Sequence, residues 1–181
     1  MPQEFRFSLP GPARDRIRIW PVFLPFFGCR QRCIYCAQHL QSSDPEATLA
    51  DSFARLEKEL QAGLRRSTPP LELGFFAGTF TALPEKWARA FLQLGQGYKE
   101  RGLISRIRCS TRPDRLSRSL LQRFKNYGLD MVEIGAQTFS DRSLSTSRRG
   151  YLARDIEAAC DLVRSCGLGL GLQLLPGLPG H

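Results

Sequence analysis

No apolar run in this chain approaches the ~20 residues that a membrane-spanning helix requires, so no such helix is expected in it. A secretory leader is not expected either. Residues 1–17 are polar, carry Arg6, Arg14 and Arg16, and contain no apolar h-region. Internal repeats, low-complexity tracts and an evident domain boundary are missing too, which excludes solenoids and linker-joined modules. Negative charge is scarce: 17 Asp and Glu face 26 Lys and Arg, giving a net charge of +9 and a pI near 9.7. Such a balance favours anionic partners, nucleic acid being the commonest, and RNA is a permissible one. The arginines are scattered over the helices rather than gathered in one block, which is also how an ordinary solvated basic surface reads. No membrane partner is expected.

Six cysteines remain to be explained. A disulfide framework belongs to short secreted chains, and nothing in residues 1–17 sets up that context. Cys29, Cys33 and Cys36 read C-x3-C-x2-C directly after the apolar, β-like run from Trp20 to Phe27. Three thiolates on one short loop suit a cubane iron–sulfur cluster, which takes four ligands and here leaves one iron open. Zinc is the alternative, because His39 extends the pattern to C-x3-C-x2-C-x2-H and would close a tetrahedral shell. Cys109, Cys160 and Cys166 lie on or beside apolar stripes and read as small core residues. Arg30 and Arg32 flank the ligand candidates and are expected to lower their thiol pKa values, unless they are plain loop charges.

Short apolar runs alternate with helical patterns. Ile17 to Phe27 is the first expected strand. Ser43-Asp44-Pro45 starts a helix striped by Leu49, Phe53, Leu56, Leu60 and Leu64. Leu71 to Phe76 is the second strand, with Phe75 and Phe76 as core candidates. A helix follows with Trp87, Phe91, Leu94 and Tyr98 on one face. Leu103 to Cys109 is the third strand, and the next helix holds Leu116, Leu120, Leu121 and Phe124 before Gly128. Asp130 to Gly135 is the fourth strand. The last helix carries Leu152, Ile156, Ala159 and Val163, and Leu168 to Leu175 is the fifth strand. This order implies an α/β fold of parallel strands with right-handed crossovers and outer helices. An open doubly wound sheet and a partial barrel both fit it, and both put ligands at the carboxyl ends of the strands.

The unusual residues fall at those ends. They are Ala77-Gly78-Thr79-Phe80-Thr81 after the second strand, Ser110-Thr111-Arg112-Pro113-Asp114 after the third, Gly135-Ala136-Gln137 after the fourth, and the run around Gln173 through Leu175-Pro-Gly-Leu-Pro-Gly180 in the fifth. Together with the cysteine loop and Arg148-Arg149-Gly150, these motifs resemble the radical S-adenosylmethionine (SAM) superfamily. The branch they resemble contains the oxygen-independent coproporphyrinogen oxidases and the radical SAM half of the Elongator catalytic subunit.

The resemblance implies a partial (β/α) barrel with five of the usual six βα units, over residues 17–181, after a lead-in of residues 1–16. On this reading the chain is short of its C-terminal part, as a fragment, a truncated gene product or a reduced core completed by a partner. Cys29, Cys33 and Cys36 are implied as ligands of a 4Fe-4S cluster whose open iron binds the amino and carboxylate groups of SAM. Tyr35 is implied against the adenine, and the backbone of Ala77, Gly78 and Thr79 at the amino group. Gln137 is implied at the ribose, with Gln173 at a ribose position where some relatives carry a carboxylate. Arg149 is implied at the SAM carboxylate, for which a two-pronged guanidinium is suited; Arg148 beside it leaves that choice open. The implied chemistry is reductive cleavage of SAM to methionine and a 5′-deoxyadenosyl radical, which abstracts hydrogen from an unknown substrate. An electron donor of the flavodoxin or ferredoxin type is expected, in a reducing, cytoplasmic setting. A noncatalytic RNA-binding module, stabilised by zinc or an inert cluster, is the alternative function.

Overall fold

The computed structural model describes residues 18–25, 29, 32–36, 45–66, 70–76 and 78–180. Five strands, β1 (Ile19–Phe23), β2 (Leu71–Phe76), β3 (Ile104–Thr111), β4 (Met131–Gln137) and β5 (Gly169–Leu174), form one sheet. All four pairings are parallel, and the spatial order is β1-β2-β3-β4-β5. A doubly wound sheet reverses direction at a switch point. Here every crossover advances to the next neighbour, so the winding runs one way, as in a barrel wall.

The described helices are α1 (Pro45–Arg65), α2 (Glu85–Glu100), α3 (Arg118–Asn126), α4 (Asp141–Thr146) and α5 (Ala153–Ser165). Among the described residues none is long and apolar enough to cross a membrane. Helix α4 was not expected from the sequence: six residues are too few to show a periodic stripe. Its start was readable in Ser140, whose hydroxyl accepts from the Ser143 N–H at 3.3 Å.

Strand alternation builds the core. Leu71, Leu73 and Phe75 of β2, Ile107 and Cys109 of β3, and Val132, Ile134 and Ala136 of β4 share one side of the sheet and are buried under the helices. Phe75 stacks on Phe80 at 4.9 Å and meets the edge of Phe91 at 5.6 Å; Phe80 meets Phe124 at 5.9 Å. Cys109, Cys160 and Cys166 belong to the same buried cluster.

Several sequence expectations shift here. Phe76 leaves the core for the opposite face, beside Phe23 at 6.0 Å, because adjacent strand residues point to opposite sides. Helix α2 buries Ala88, Phe91, Leu92, Gly95 and Tyr98, with Trp87 and Leu94 only half-buried. Its tightest approach is at Gly95, where a Cβ would stand 2.9 Å from Ile107 and Leu73; Trp87 and Leu94 pack at the margin of the core. Leu116 precedes α3, which Ser117 caps, and Leu152 precedes α5, where the Asp155 carboxylate accepts from its N–H at 2.8 Å. Ile17, Phe26, Phe27, Ser43 and Asp44 lie outside the described residues.

The other face of the sheet carries a polar ladder at its centre. Arg108 reaches Glu72 at 2.8 Å and also contacts Glu133, while the Gln173 amide donates to Ser110 Oγ at 2.8 Å and to Glu133 at 3.1 Å. Two buried carboxylates on either side of one guanidinium keep the charges of this ladder paired, which makes their burial tolerable.

Candidate functional site

At the carboxyl end of the sheet lies a cavity of about 330 Å³. It gathers Cys29, Cys33, Tyr35 and Cys36 from the loop after β1, and Phe76 and Gly78 after β2. Ser110, Thr111 and Arg112 come from β3, Gly135 and Gln137 from β4, Gln173 from β5, and Arg149 from the turn after α4. Residues far apart in the chain converge because parallel strands deliver every carboxyl end to one rim.

Cys29, Cys33 and Cys36 all face this space, and a tight turn in which Cys36 N–H donates to Cys33 O at 3.0 Å holds two of them together. Among the described residues no three His, Cys, Asp or Glu side chains are drawn close enough to hold a single metal ion. One tetrahedral ion packs its sulfur ligands within about 4 Å of one another, whereas a cubane binds each of its cysteines through a different iron. Three thiol donors facing one cavity match the ligand count of a cubane with one open iron. His39 and Ala77 lie outside the described residues.

Arg149 is the centre of the site's electrostatics. Its side chain is buried, the residue being 6% exposed. Nε donates to the Tyr151 hydroxyl at 2.7 Å, Nη2 to the Gly135 carbonyl at 2.7 Å, and Nη1 to Cys33 Sγ at 3.1 Å. No carboxylate among the described residues pairs with it. Burial works against its charge, but the Tyr151, Tyr35 and Cys33 groups outweigh that and move its pKa up. Arg148, by contrast, is exposed, has a left-handed backbone (φ 55°), and lines a separate surface depression.

The neighbouring residues hold this cation in place. Arg112 is pinned by both oxygens of Asp114, at 2.8 and 3.1 Å, and donates to the backbone carbonyl of Arg149 at 2.7 Å. The Tyr151 ring lies under both guanidinium groups, 4.9 Å from that of Arg149 and 5.1 Å from that of Arg112. Tyr35 is exposed at the rim, 6.0 Å from Arg149, and desolvation of its hydroxyl pushes the pKa up. Neither Arg112 nor Tyr151 was assigned a role from the sequence. Arg112 sat in a noted motif, whereas Tyr151 left no signal at all.

The remaining expected residues are placed as follows. Gly78 lines the cavity with φ 65°, a conformation that suits glycine. Thr79 is fully buried behind the rim, and its hydroxyl lies 2.8 Å from Cys29 Sγ, so its side chain supports the cysteine loop. Gln137 sits at a β-bulge with φ 68°, and its amide packs over Gly135, where a Cβ would come within 3.1 Å of it. Gln173 lines the cavity floor, tied to Ser110 and Glu133. Arg32 is exposed, and Arg30 lies outside the described residues. Among the described residues, the cation that touches a ligand candidate is Arg149, from 116 residues away.

The family model of the Radical SAM superfamily matches residues 23–181. The chain belongs to that superfamily. This radical SAM chain is 28% identical over 165 residues to the heme chaperone HemW of Synechocystis, covering 87% of itself and 39% of the relative. It is also 28% identical to a tRNA uridine(34) acetyltransferase of Dehalococcoides mccartyi, over 84% of this chain and 40% of that protein. It superimposes on coproporphyrinogen III oxidase (HemN) of Escherichia coli with a TM-score of 0.66 at 18% identity, covering 91% of this chain and 38% of the enzyme. The fold is thus the radical SAM partial barrel, and this radical SAM chain spans about two-fifths of the length of the curated relatives it matches.

Proposed function

We propose that this chain is the cofactor-binding core of a radical SAM enzyme, with Cys29, Cys33 and Cys36 holding a 4Fe-4S cluster and the adjoining rim holding SAM. When bound, the cluster supplies one electron for reductive cleavage of SAM to methionine and a 5′-deoxyadenosyl radical, which takes a hydrogen atom from substrate. The protein's task is to bind, orient and exclude water.

The observation that carries this reading is Arg149, a buried guanidinium in contact with Cys33 that has no carboxylate partner among the described residues. The partners that hold this cation are a phenol, a carbonyl and a thiol, and a carboxylate-bearing ligand beside the cysteines would supply a charge-assisted partner. Arg149 has five N–H groups, and three are engaged by Tyr151, Gly135 and Cys33; the other two suit the SAM carboxylate. Tyr35 offers an aromatic face for the adenine. Gln137 and Gln173 supply amides for the ribose hydroxyls, while the backbone at Ala77, Gly78 and Thr79 serves the amino group. Electrons come from a flavodoxin- or ferredoxin-like donor, in a reducing compartment. The +9 net charge suits an anionic substrate, and RNA is the class this reading takes first.

Anaerobic reconstitution tests the proposal. About four irons and four sulfides per chain are expected, with broad absorption near about 400 nm. Cys33→Ala should abolish assembly, and Cys160→Ala should leave it intact. Equal loss of iron in both variants would overturn the ligand assignment.

A further inference from the structure

Tyr151 serves the hydrophobic core less than its burial suggests. Its hydroxyl sits at a branch point: it accepts from Arg149 Nε at 2.7 Å and donates to the Gly135 carbonyl at 2.7 Å. That same carbonyl accepts from Arg149 Nη2, also at 2.7 Å. One edge of the guanidinium is therefore fixed at two points, and the rotation of the whole planar group is set by them. The ring supports the plane from 4.9 Å. Arg112, clamped by Asp114, packs on the ring at 5.1 Å and holds the Arg149 backbone through its carbonyl. The result is a chain of contacts, Asp114 to Arg112 to Tyr151 to Arg149, that ends at the cavity next to Cys33.

We propose that Tyr151 is a positioning residue that aims the Arg149 guanidinium at the carboxylate of SAM. The proposal rests on the assignment of Arg149 given above. A guanidinium recognises a carboxylate through two parallel bonds whose strength depends on its plane. Without the hydroxyl, the cation keeps its charge but loses one of the two points that fix its orientation. Tyr151→Phe should fold, since the ring contacts persist and the Gly135 carbonyl retains its bond from Arg149 Nη2.

The test measures dissociation constants of two probes, SAM and decarboxylated SAM, on the anaerobically reconstituted protein. Tyr151→Phe is expected to keep its iron content and to weaken SAM about tenfold, equal to about 1.4 kcal/mol, while decarboxylated SAM changes less than about twofold on that scale. Arg149→Met should weaken SAM further still, and adding Tyr151→Phe to it should cost nothing more, because the hydroxyl acts only through the arginine. If both probes weaken equally, Tyr151 is merely structural and the proposal fails. If Arg149→Met weakens SAM but Tyr151→Phe does not, Tyr151 has no aiming role and the Arg149 assignment stands. If Arg149→Met leaves SAM binding unchanged, both fall. Tyr151→His, whose ring ends short of Arg149 Nε, carries the same two-probe comparison should the phenylalanine variant fail to fold.

Discussion

Replacing Arg149 by methionine separates its binding role from any structural one. The side chain makes three hydrogen bonds, to Tyr151, Gly135 and Cys33. Each bond from a charged donor contributes about 1.5–3 kcal/mol. Against that stands the burial of a guanidinium without a carboxylate partner among the described residues, which costs several kcal/mol. The two nearly cancel, and methionine fills much of the vacated volume with an apolar chain. Gly135 keeps its bond from the Tyr151 hydroxyl, so no buried carbonyl is orphaned. The cluster-free variant should therefore melt within about 2–4 °C of wild type, the shift that corresponds to about 1 kcal/mol in a chain of this size. SAM affinity should behave differently, falling about 100-fold for the loss of about 3 kcal/mol from a buried charged contact. Calorimetric melting of the apoprotein and equilibrium SAM binding to the reconstituted protein read the two effects independently. A fall of more than about 10 °C in the apoprotein, well beyond the shift expected for a near-cancelling pair of terms, would mean that Arg149 is a structural tie, and the argument from its missing carboxylate would fail.

Burial pushes the Cys109 thiol up to about 12, above its unfolded value of about 8.5. A raised thiol pKa contributes stability that is fully present below the unfolded value and is lost as pH rises toward the folded one. Apoprotein stability should thus decline between about pH 8.5 and 12 by up to about 1.4 kcal/mol per unit, and Cys109→Ala should flatten the slope. An unchanged slope in that variant refutes the assignment, and so would alkylation of Cys109 in the native protein at pH 8. At Gln137, a left-handed backbone with a side chain costs about 1–2 kcal/mol. Gln137→Gly should therefore melt no lower than wild type while binding SAM more weakly; a clear loss of stability would show that the amide's packing over Gly135 outweighs the strain.

What was legible in the sequence was local. The cysteine loop declares itself because its three donors lie within eight residues, and the strand ends are marked by glycines and hydroxyls next to apolar runs. The alternation of β2 fixes opposite faces for Phe75 and Phe76, yet both read as core because two adjacent aromatic residues hide which one faces the helices. Trp87, Phe91, Leu94 and Tyr98 do face the core along α2, with Trp87 and Leu94 at its margin; the close approach that Gly95 permits is what hydrophobic bulk does not show. Strand order was invisible as well, since both windings have the same sequence of elements, and only the uninterrupted run of neighbours separates them. Several contacts that organise the site join residues 14, 37 and 116 positions apart. No spacing rule connects Tyr151 to a cysteine loop in another quarter of the chain.

The sheet grows by joining each strand to the one before it, so much of its wall can form progressively as a chain leaves the ribosome. The contact between Arg149 and Cys33 obeys a different schedule. The cysteine loop emerges early, and for the time it takes to synthesise the next hundred or so residues its thiols lack the Arg149 guanidinium. If the loop holds a cluster as proposed, loading beside Arg149 must wait until four strands and the turn after α4 have been made. Before then the nascent loop is an unguarded set of thiols, open to oxidation or to the wrong metal.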